Sequence, residues 1–167
     1  MKNFIIFNSL LIFLLTFSCS YKPLYKKNKF TNEKIDIFVK SKEKYENDVS
    51  LMKLLLNEKL NYKSSKPSNL KLVVSIEKQT SGLGVNKDLY TYGQMLTYDI
   101  KYSFYNQSSL LSSGNLTKKA SYNISSNSYS NIISIEDASQ KLIASISENL
   151  SNIIIAEKSK RKNLKWL

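Results

Sequence analysis

The sequence predicts an α+β fold whose elements follow the order strand, helix, three strands, helix. Two observations carry this. Apolar and polar residues alternate with a period of two in four segments, and apolar residues recur every three or four positions in two others. Clusters of Ser, Asn, Gly and Pro separate the segments, as turns require. Ahead of all six lies an apolar run that follows neither period.

That run is an export signal. Lys2 gives a positive start, Phe4 to Leu15 is apolar apart from Asn8 and Ser9, and the small residue Ser18 precedes Cys19. The apolar core is shorter than the roughly 20 residues a membrane span needs. Cys19 is the only cysteine of the chain, so it has no intramolecular disulfide partner, and an odd thiol in an exported protein calls for a reason. Ser18-Cys19 resembles the lipobox of bacterial lipoproteins, in which the cysteine becomes the lipid-carrying first residue; Thr16 stands where that motif usually has leucine. The alternative is a buried or free thiol behind an ordinary signal peptide.

Cleavage before Cys19 removes 18 of the 167 residues and leaves 149, enough for one domain with a core. The mature chain then carries 24 basic against 13 acidic residues, a net of +11, which suits an anionic partner. The export signal argues against nucleic acid and leaves an acidic membrane surface or a phosphorylated lipid. Lys, Asn, Ile and Ser are abundant, a bias that AT-rich codons alone produce, so charge by itself defines no ligand. The chain has no histidine and no second thiol, hence neither the commonest general base nor the usual zinc ligand sets. No enzyme, no metal and no cofactor are expected.

The elements follow in order. Residues 19–33 read as a lipidated N-terminus and a lysine-rich tether, 34–158 as one domain, and 159–167 as a basic tail. Ile35, Ile37 and Val39 alternate with Asp36 and Phe38 in a first strand, 34–40. Val49, Met52, Leu55, Leu56 and Leu60 recur at helical spacing over 48–61, with Asn47 or Ser50 available as cap. Residues 62–69 contain Pro67 and read as a turn. Leu70, Leu72, Val74 and Ile76 then alternate with Lys71, Val73, Ser75 and Glu77, and 80–88 with Gly82 and Gly84 read as a hairpin link. A long third strand puts Tyr90, Tyr92, Leu96, Tyr98, Ile100, Tyr102 and Phe104 on one parity, which is either a core face or an aromatic ligand face. Residues 106–114 read as a turn and 115–124 as a fourth strand. Ile132, Ile135, Ala138, Leu142, Ile146, Leu150, Ile153 and Ile154 draw one stripe along a final helix, 129–158. The basic end beyond it, with Trp166, is either a contact for anionic headgroups or a partner, or a solvated terminus.

Two stretches carry a family resemblance. Cys19-Ser20-Tyr21-Lys22-Pro23-Leu24-Tyr25 resembles the Cys-Gly-Phe-x-Pro-Leu-Tyr start of the mature lipopolysaccharide-assembly lipoproteins, the LptE family, in their alphaproteobacterial form. Ala120-Ser121-Tyr122-Asn123, Tyr129-Ser130-Asn131 and Glu136-Asp137-Ala138 are similar to that family's passage from its last strand into its last helix. Ser20 and Ser130 replace a usual Gly and a common Ala, and Lys26 stands where a glycine often follows the tyrosine.

The resemblance implies a two-layer sandwich, a four-stranded sheet covered on one face by two helices. It implies an outer-membrane lipoprotein, anchored on the periplasmic side through Cys19, that plugs and helps assemble the LptD-type β-barrel and assists lipopolysaccharide delivery. The polar lumen of such a barrel suits the uncovered sheet face. No family motif identifies lipid-contacting residues. On strand parity alone, Lys101, Lys119 and Lys71 are the candidates for lipopolysaccharide phosphates, the alternative being solvated charges that deter edge pairing. Rival readings are another envelope lipoprotein, such as a secretion pilot or scaffold, and a hydrolase of envelope polymer. For the latter the acids Glu77, Asp88 and Asp99 are scattered along the chain without acid–base spacing.

Overall fold

The computed structural model describes residues 33–42, 45–62, 64, 66–84 and 93–164, with side chains to Lys160. Cys19, the tether and Trp166 lie outside the described residues, as do Tyr90, Tyr92 and Asp88. The elements are β1 (Glu33–Ser41), α1 (Glu46–Asn61), β2 (Lys66–Gly82), β3 (Gly93–Asn106), β4 (Ser109–Asn123) and α2 (Ser128–Leu164). They form one four-stranded sheet in the order β1-β2-β3-β4 with both helices on the same face. The expected α+β order, β-α-β-β-β-α, is therefore correct.

β1 and β2 pair in parallel, and α1 is the crossover that a parallel pair needs; β2, β3 and β4 form an antiparallel meander. Period-two patterning assigns one face to the core. Ile35 and Ile37, then Leu70, Leu72, Val74 and Ile76, then Leu96, Tyr98, Ile100, Tyr102 and Phe104 are all buried under the helices. The third strand's aromatic parity is thus core, which settles the choice against a ligand face for its described members. Each fully buried Leu, Ile or Phe contributes about 1.5–3 kcal/mol relative to exposure.

α1 buries Met52, Leu56 and Leu60 on that face. It starts earlier than the predicted 48–61, at Glu46, so Asn47 and Ser50 fall inside the helix and neither caps it. Tyr45 holds the N-cap position without a side-chain cap bond. At the other end Asn61 reaches the outer edge of β1. Its Oδ1 accepts from the Ile35 amide at 2.8 Å and its Nδ2 donates to the Ile35 carbonyl at 2.9 Å. One side chain thereby replaces a neighbouring strand at that residue and blunts the edge.

Two predicted turns are strand. β2 begins at Lys66, ahead of Leu70, because the ladder tolerates Pro67 at an irregularity. Glu33 pairs with Lys66 but Ile35 pairs with Leu70, so the stretch around the proline bulges out. There the Ser68 hydroxyl donates to the Lys34 carbonyl at 2.5 Å, a bond from side chain to strand backbone. The β3–β4 connection is only Gln107-Ser108, with Gln107 at φ 54°, and β4 starts at Ser109 instead of 115. A shift in register between Phe104 and Tyr105 leaves Leu111 as the extra residue of a bulge. Gly114 of this edge strand lies opposite Tyr102, whose ring covers it: a Cβ on Gly114 would lie 2.9 Å from the tyrosine oxygen.

α2 has 37 residues, about 55 Å at 1.5 Å per residue. Asn127 caps it, its Oδ1 accepting from the amides of Tyr129 at 3.0 Å and Ser130 at 3.3 Å. Its buried stripe is Ala138, Leu142, Ile143, Ile146, Leu150 and Ile154, with Ser139, Ser147 and Ser151 among them. Ile132, a predicted member of the stripe, is 61% exposed. The helix continues to Leu164 because no Gly or Pro interrupts the sequence after Lys158. Among the described residues no helix is long and apolar enough to cross a membrane.

The Ser147 hydroxyl is buried with no hydrogen-bond partner among the described residues. A buried unpaired hydroxyl costs about 1–3 kcal/mol in desolvation, so Ser147→Ala is expected to be neutral or to stabilise by up to about 1 kcal/mol. Urea unfolding of the two proteins measures it, and a clear loss of stability in the alanine variant contradicts the assignment.

Candidate functional site

Covering one sheet face leaves the other open, and the open face holds all three nominated lysines. Its rows follow from the register. Asp36, Lys71 and Tyr105 lie side by side; Phe38, Val73, Ser103 and Ser113 form the next row; then come Lys40, Ser75, Lys101 and Asn115. Glu77, Asp99 and Thr117 follow, and Thr97 with Lys119 lies beyond.

The three lysines share the face but do not converge. Lys71 is four residues along β2 from the partner of Lys101, and Lys119 is four residues along β4 from the other partner of Lys101. At about 3.4 Å per residue, neighbouring members of the set stand roughly 14 Å apart. No two of them are neighbours in a row, so strand pairing sets no pair of lysines side by side for one phosphate. Lys71 has its ammonium 4.7 Å from the centroid of the Phe38 ring, a cation–π geometry, while Phe38 remains 53% exposed. Lys101 lines a shallow depression of about 240 Å³ with Glu77, Asp99, Asn115 and Thr117. Lys119 is exposed on the edge strand.

Strand pairing also brings together two acids that the sequence separates. Glu77 and Asp99 are direct cross-strand partners. Like charges placed so are unfavourable. The pair is eased by Lys42, whose Nζ is 3.5 Å from Glu77 Oε2, and by the Thr117 hydroxyl, which donates to Asp99 Oδ1 at 2.5 Å. Among the described residues no group of three potential metal ligands exists.

A second polar constellation lies between the sheet and the helices. Asp48 of α1 accepts at Oδ2 from the Tyr98 hydroxyl of β3 at 2.5 Å and from Lys78 Nζ of β2 at 3.0 Å. At Oδ1 it accepts from the Ser139 hydroxyl of α2 at 2.9 Å, and the two hydroxyls are 2.6 Å apart. The Lys78 ammonium also lies 5.1 Å from the Tyr45 ring centroid. Acid, lysine, tyrosine and serine together could suggest catalysis. However, Tyr98 is fully buried and Ser139 is 4% exposed, so no substrate reaches the hydroxyls. The cluster clasps four elements together. These residues are tens of positions apart and divided between two helices and two strands, so no spacing in the sequence announces them.

Burial, and then the bond to the Asp48 carboxylate, push the Tyr98 phenol far above its ordinary value of 10.0. The folded protein therefore keeps a proton that the unfolded chain releases above about pH 10. Stability from this group is complete below that pH and is lost as pH rises past it, at up to about 1.4 kcal/mol per unit. In Tyr98→Phe the alkaline limb of the unfolding profile should be flatter by one proton, measured by denaturant unfolding between pH 9 and 11; an unchanged slope would refute the assignment. Burial likewise raises the Tyr122 phenol, which donates to Gln94.

No protein-family model matches the chain, and no curated protein matches it by sequence. Solved structures do. A protein of Caulobacter crescentus, provisionally named a lipoprotein, superposes with a TM-score of 0.59 at 14% identity over 75% of this chain and 91% of its own. Rare lipoprotein B of Shewanella oneidensis gives 0.55 at 13% identity over 78% and 98%. A minor lipoprotein of Acinetobacter baumannii gives 0.51 at 15% over 75% and 92%. At such identities the likeness concerns the fold, and the chain shares the fold of these lipoproteins.

Proposed function

We propose that the chain is an envelope lipoprotein of the lipopolysaccharide-assembly type. Cys19 carries the lipid, at the periplasmic side of the outer membrane. The open sheet face lies against the lumen of an LptD-type β-barrel, which the protein plugs and helps to assemble, and it assists the passage of lipopolysaccharide. The observation that carries this reading is the coincidence of an LptE-like fold with a Cys19-x-x-x-Pro23-Leu24-Tyr25 start directly behind an export signal. The fold supplies one covered and one polar-aromatic face, and a polar lumen matches the latter. The role is binding and assembly, without catalysis.

The test is isolation of the protein from its native membranes. A diacylglyceryl-modified Cys19 at the mature N-terminus by mass spectrometry, with a large outer-membrane barrel co-purifying, is the expected result. An acylated Cys19 without any barrel favours a secretion pilot or scaffold instead, and an unmodified thiol removes the anchor.

For lipid contact, the spacing of the lysines makes a specific expectation. Lys71→Ala, Lys101→Ala and Lys119→Ala should each weaken lipopolysaccharide binding only about 1.4- to fivefold, because each exposed charge acts alone, contributing about 0.2–1 kcal/mol. The triple variant should lose the product of the three factors, since sites this far apart are additive. Titration of labelled lipopolysaccharide reads this; binding unchanged in the triple variant would remove the open face as the contact surface.

A further inference from the structure

The topology gathers four chain segments at one end of the molecule. β1 enters there at Glu33. α1 finishes there, with Asn61 on Ile35. The β3–β4 turn lies there, the Gln107 amide donating to the Asn69 carbonyl at 2.8 Å. α2 arrives from the opposite end, and Lys158 Nζ comes within 3.3 Å of the Glu33 carbonyl oxygen.

This end is basic. Lys34, Lys59, Lys66, Lys158 and Lys160 meet there, and α2 continues through Arg161 and Lys162. The carboxylates at the same end are Glu33, Asp36, Glu58 and Glu157, the last accepting from Lys160 at 2.8 Å. At the other end of the sandwich the first turn of α1 carries Glu46, and the early turns of α2 carry Glu136 and Asp137 and expose Tyr129, Ile132 and Ile133.

We propose that, before the protein enters the barrel, the basic end is a second membrane contact, docking against anionic phospholipid headgroups so that the strands stand up from the bilayer. The inference rests on the anchor assigned to Cys19 above. Between Cys19 and Glu33 lie residues 20–32, whose 13 residues span up to about 45 Å when extended. Surface charges act over only about 8–10 Å at physiological salt, so the tether by itself does not hold the domain at the headgroups. The charges do, and the end that bears them is the end from which the tether leaves. Each Lys or Arg near an anionic surface strengthens the contact by roughly fivefold, so three of them act on the order of a hundredfold.

The experiment uses the mature lipidated chain reconstituted in vesicles. Acylation occupies Cys19, so an introduced cysteine is the only free thiol. Ser108→Cys marks the basic end and Ser126→Cys the opposite end, both at exposed turn or loop positions. In phosphatidylglycerol-containing vesicles, a headgroup-bound quencher should quench the label at 108 several times more than that at 126. The difference should vanish in phosphatidylcholine vesicles, in high salt, and in Lys160→Glu/Arg161→Glu/Lys162→Glu. Equal quenching of the two labels, or a preference for 108 that survives in neutral vesicles, overturns the proposal. A preference that arises only when the barrel is added assigns the end to a protein and overturns it as well. Labelling of the wild-type chain at Cys19 would instead sink the anchor reading; flotation of that chain with anionic but not neutral vesicles then decides the basic end separately.

Discussion

Asp48→Ala is expected to lower the free energy of unfolding by about 3 kcal/mol, the low end for breaking a buried charge pair, because the cluster touches water at its rim. The substitution removes one carboxylate and strands three donors at once. The Tyr98 hydroxyl is fully buried, the Ser139 hydroxyl nearly so, and the Lys78 side chain is only 16% exposed. Two neutral hydroxyls can still bond to each other across their 2.6 Å separation, but the ammonium is left with aromatic faces alone. Lys78→Met should be milder, since the methionine stem keeps the packing and the carboxylate retains both hydroxyl donors. The double variant should recover part of the Asp48→Ala loss, because the lone cation is gone. Denaturant unfolding of the four proteins forms the cycle. A loss below about 1 kcal/mol in Asp48→Ala would show that the cluster does not join the layers.

The second large effect contrasts two phenylalanines. Phe104→Ala should cost about 3–5 kcal/mol, while Phe38→Ala should cost less than about 1 kcal/mol. The former ring is completely enclosed on the covered face of the sheet, beside Leu72 and opposite Ser112. The latter is more than half exposed on the open face under the Lys71 ammonium. Its removal forfeits one cation–π contact and little burial. Unfolding measured in urea separates the two, and similar losses would contradict the assignment of one covered and one open face. Phe38→Ala is accordingly the variant with which to probe the open face in binding, since the fold should survive it.

Much of this architecture is legible in the sequence because its causes are local. Period two over Leu70 to Ile76 and over Leu96 to Phe104 comes from strands with one face in the core, and the stripe from Ala138 to Ile154 comes from a helix lying along that face. Where those causes fade, the reading fades too. Ser109 to Gly114 reads as a turn because β4 is an edge strand, its polar residues being no misfit beside solvent. Pro67 reads as a break because its missing amide matters in an unbulged ladder, and the Ser68 hydroxyl bond to β1 lies outside any local pattern. The cap predicted at Asn47 or Ser50 failed for a related reason: the first turn of α1 is held through Asp48 from three other elements.

The element order, the parity of each strand and hence the core, the single cysteine and the excess of positive charge are all written in the residue order. All of these depend on residue type and on spacing within one segment. Which residues meet across segments emerges on folding: the Asp48 clasp, Asn61 on the edge of β1, Glu77 opposite Asp99, and the separation of Lys71, Lys101 and Lys119. Folding likewise decides that the last turns of α2 return to the point where β1 begins. Those meetings are set by strand register and by the length and direction of two helices, quantities that exist only once the sheet has paired.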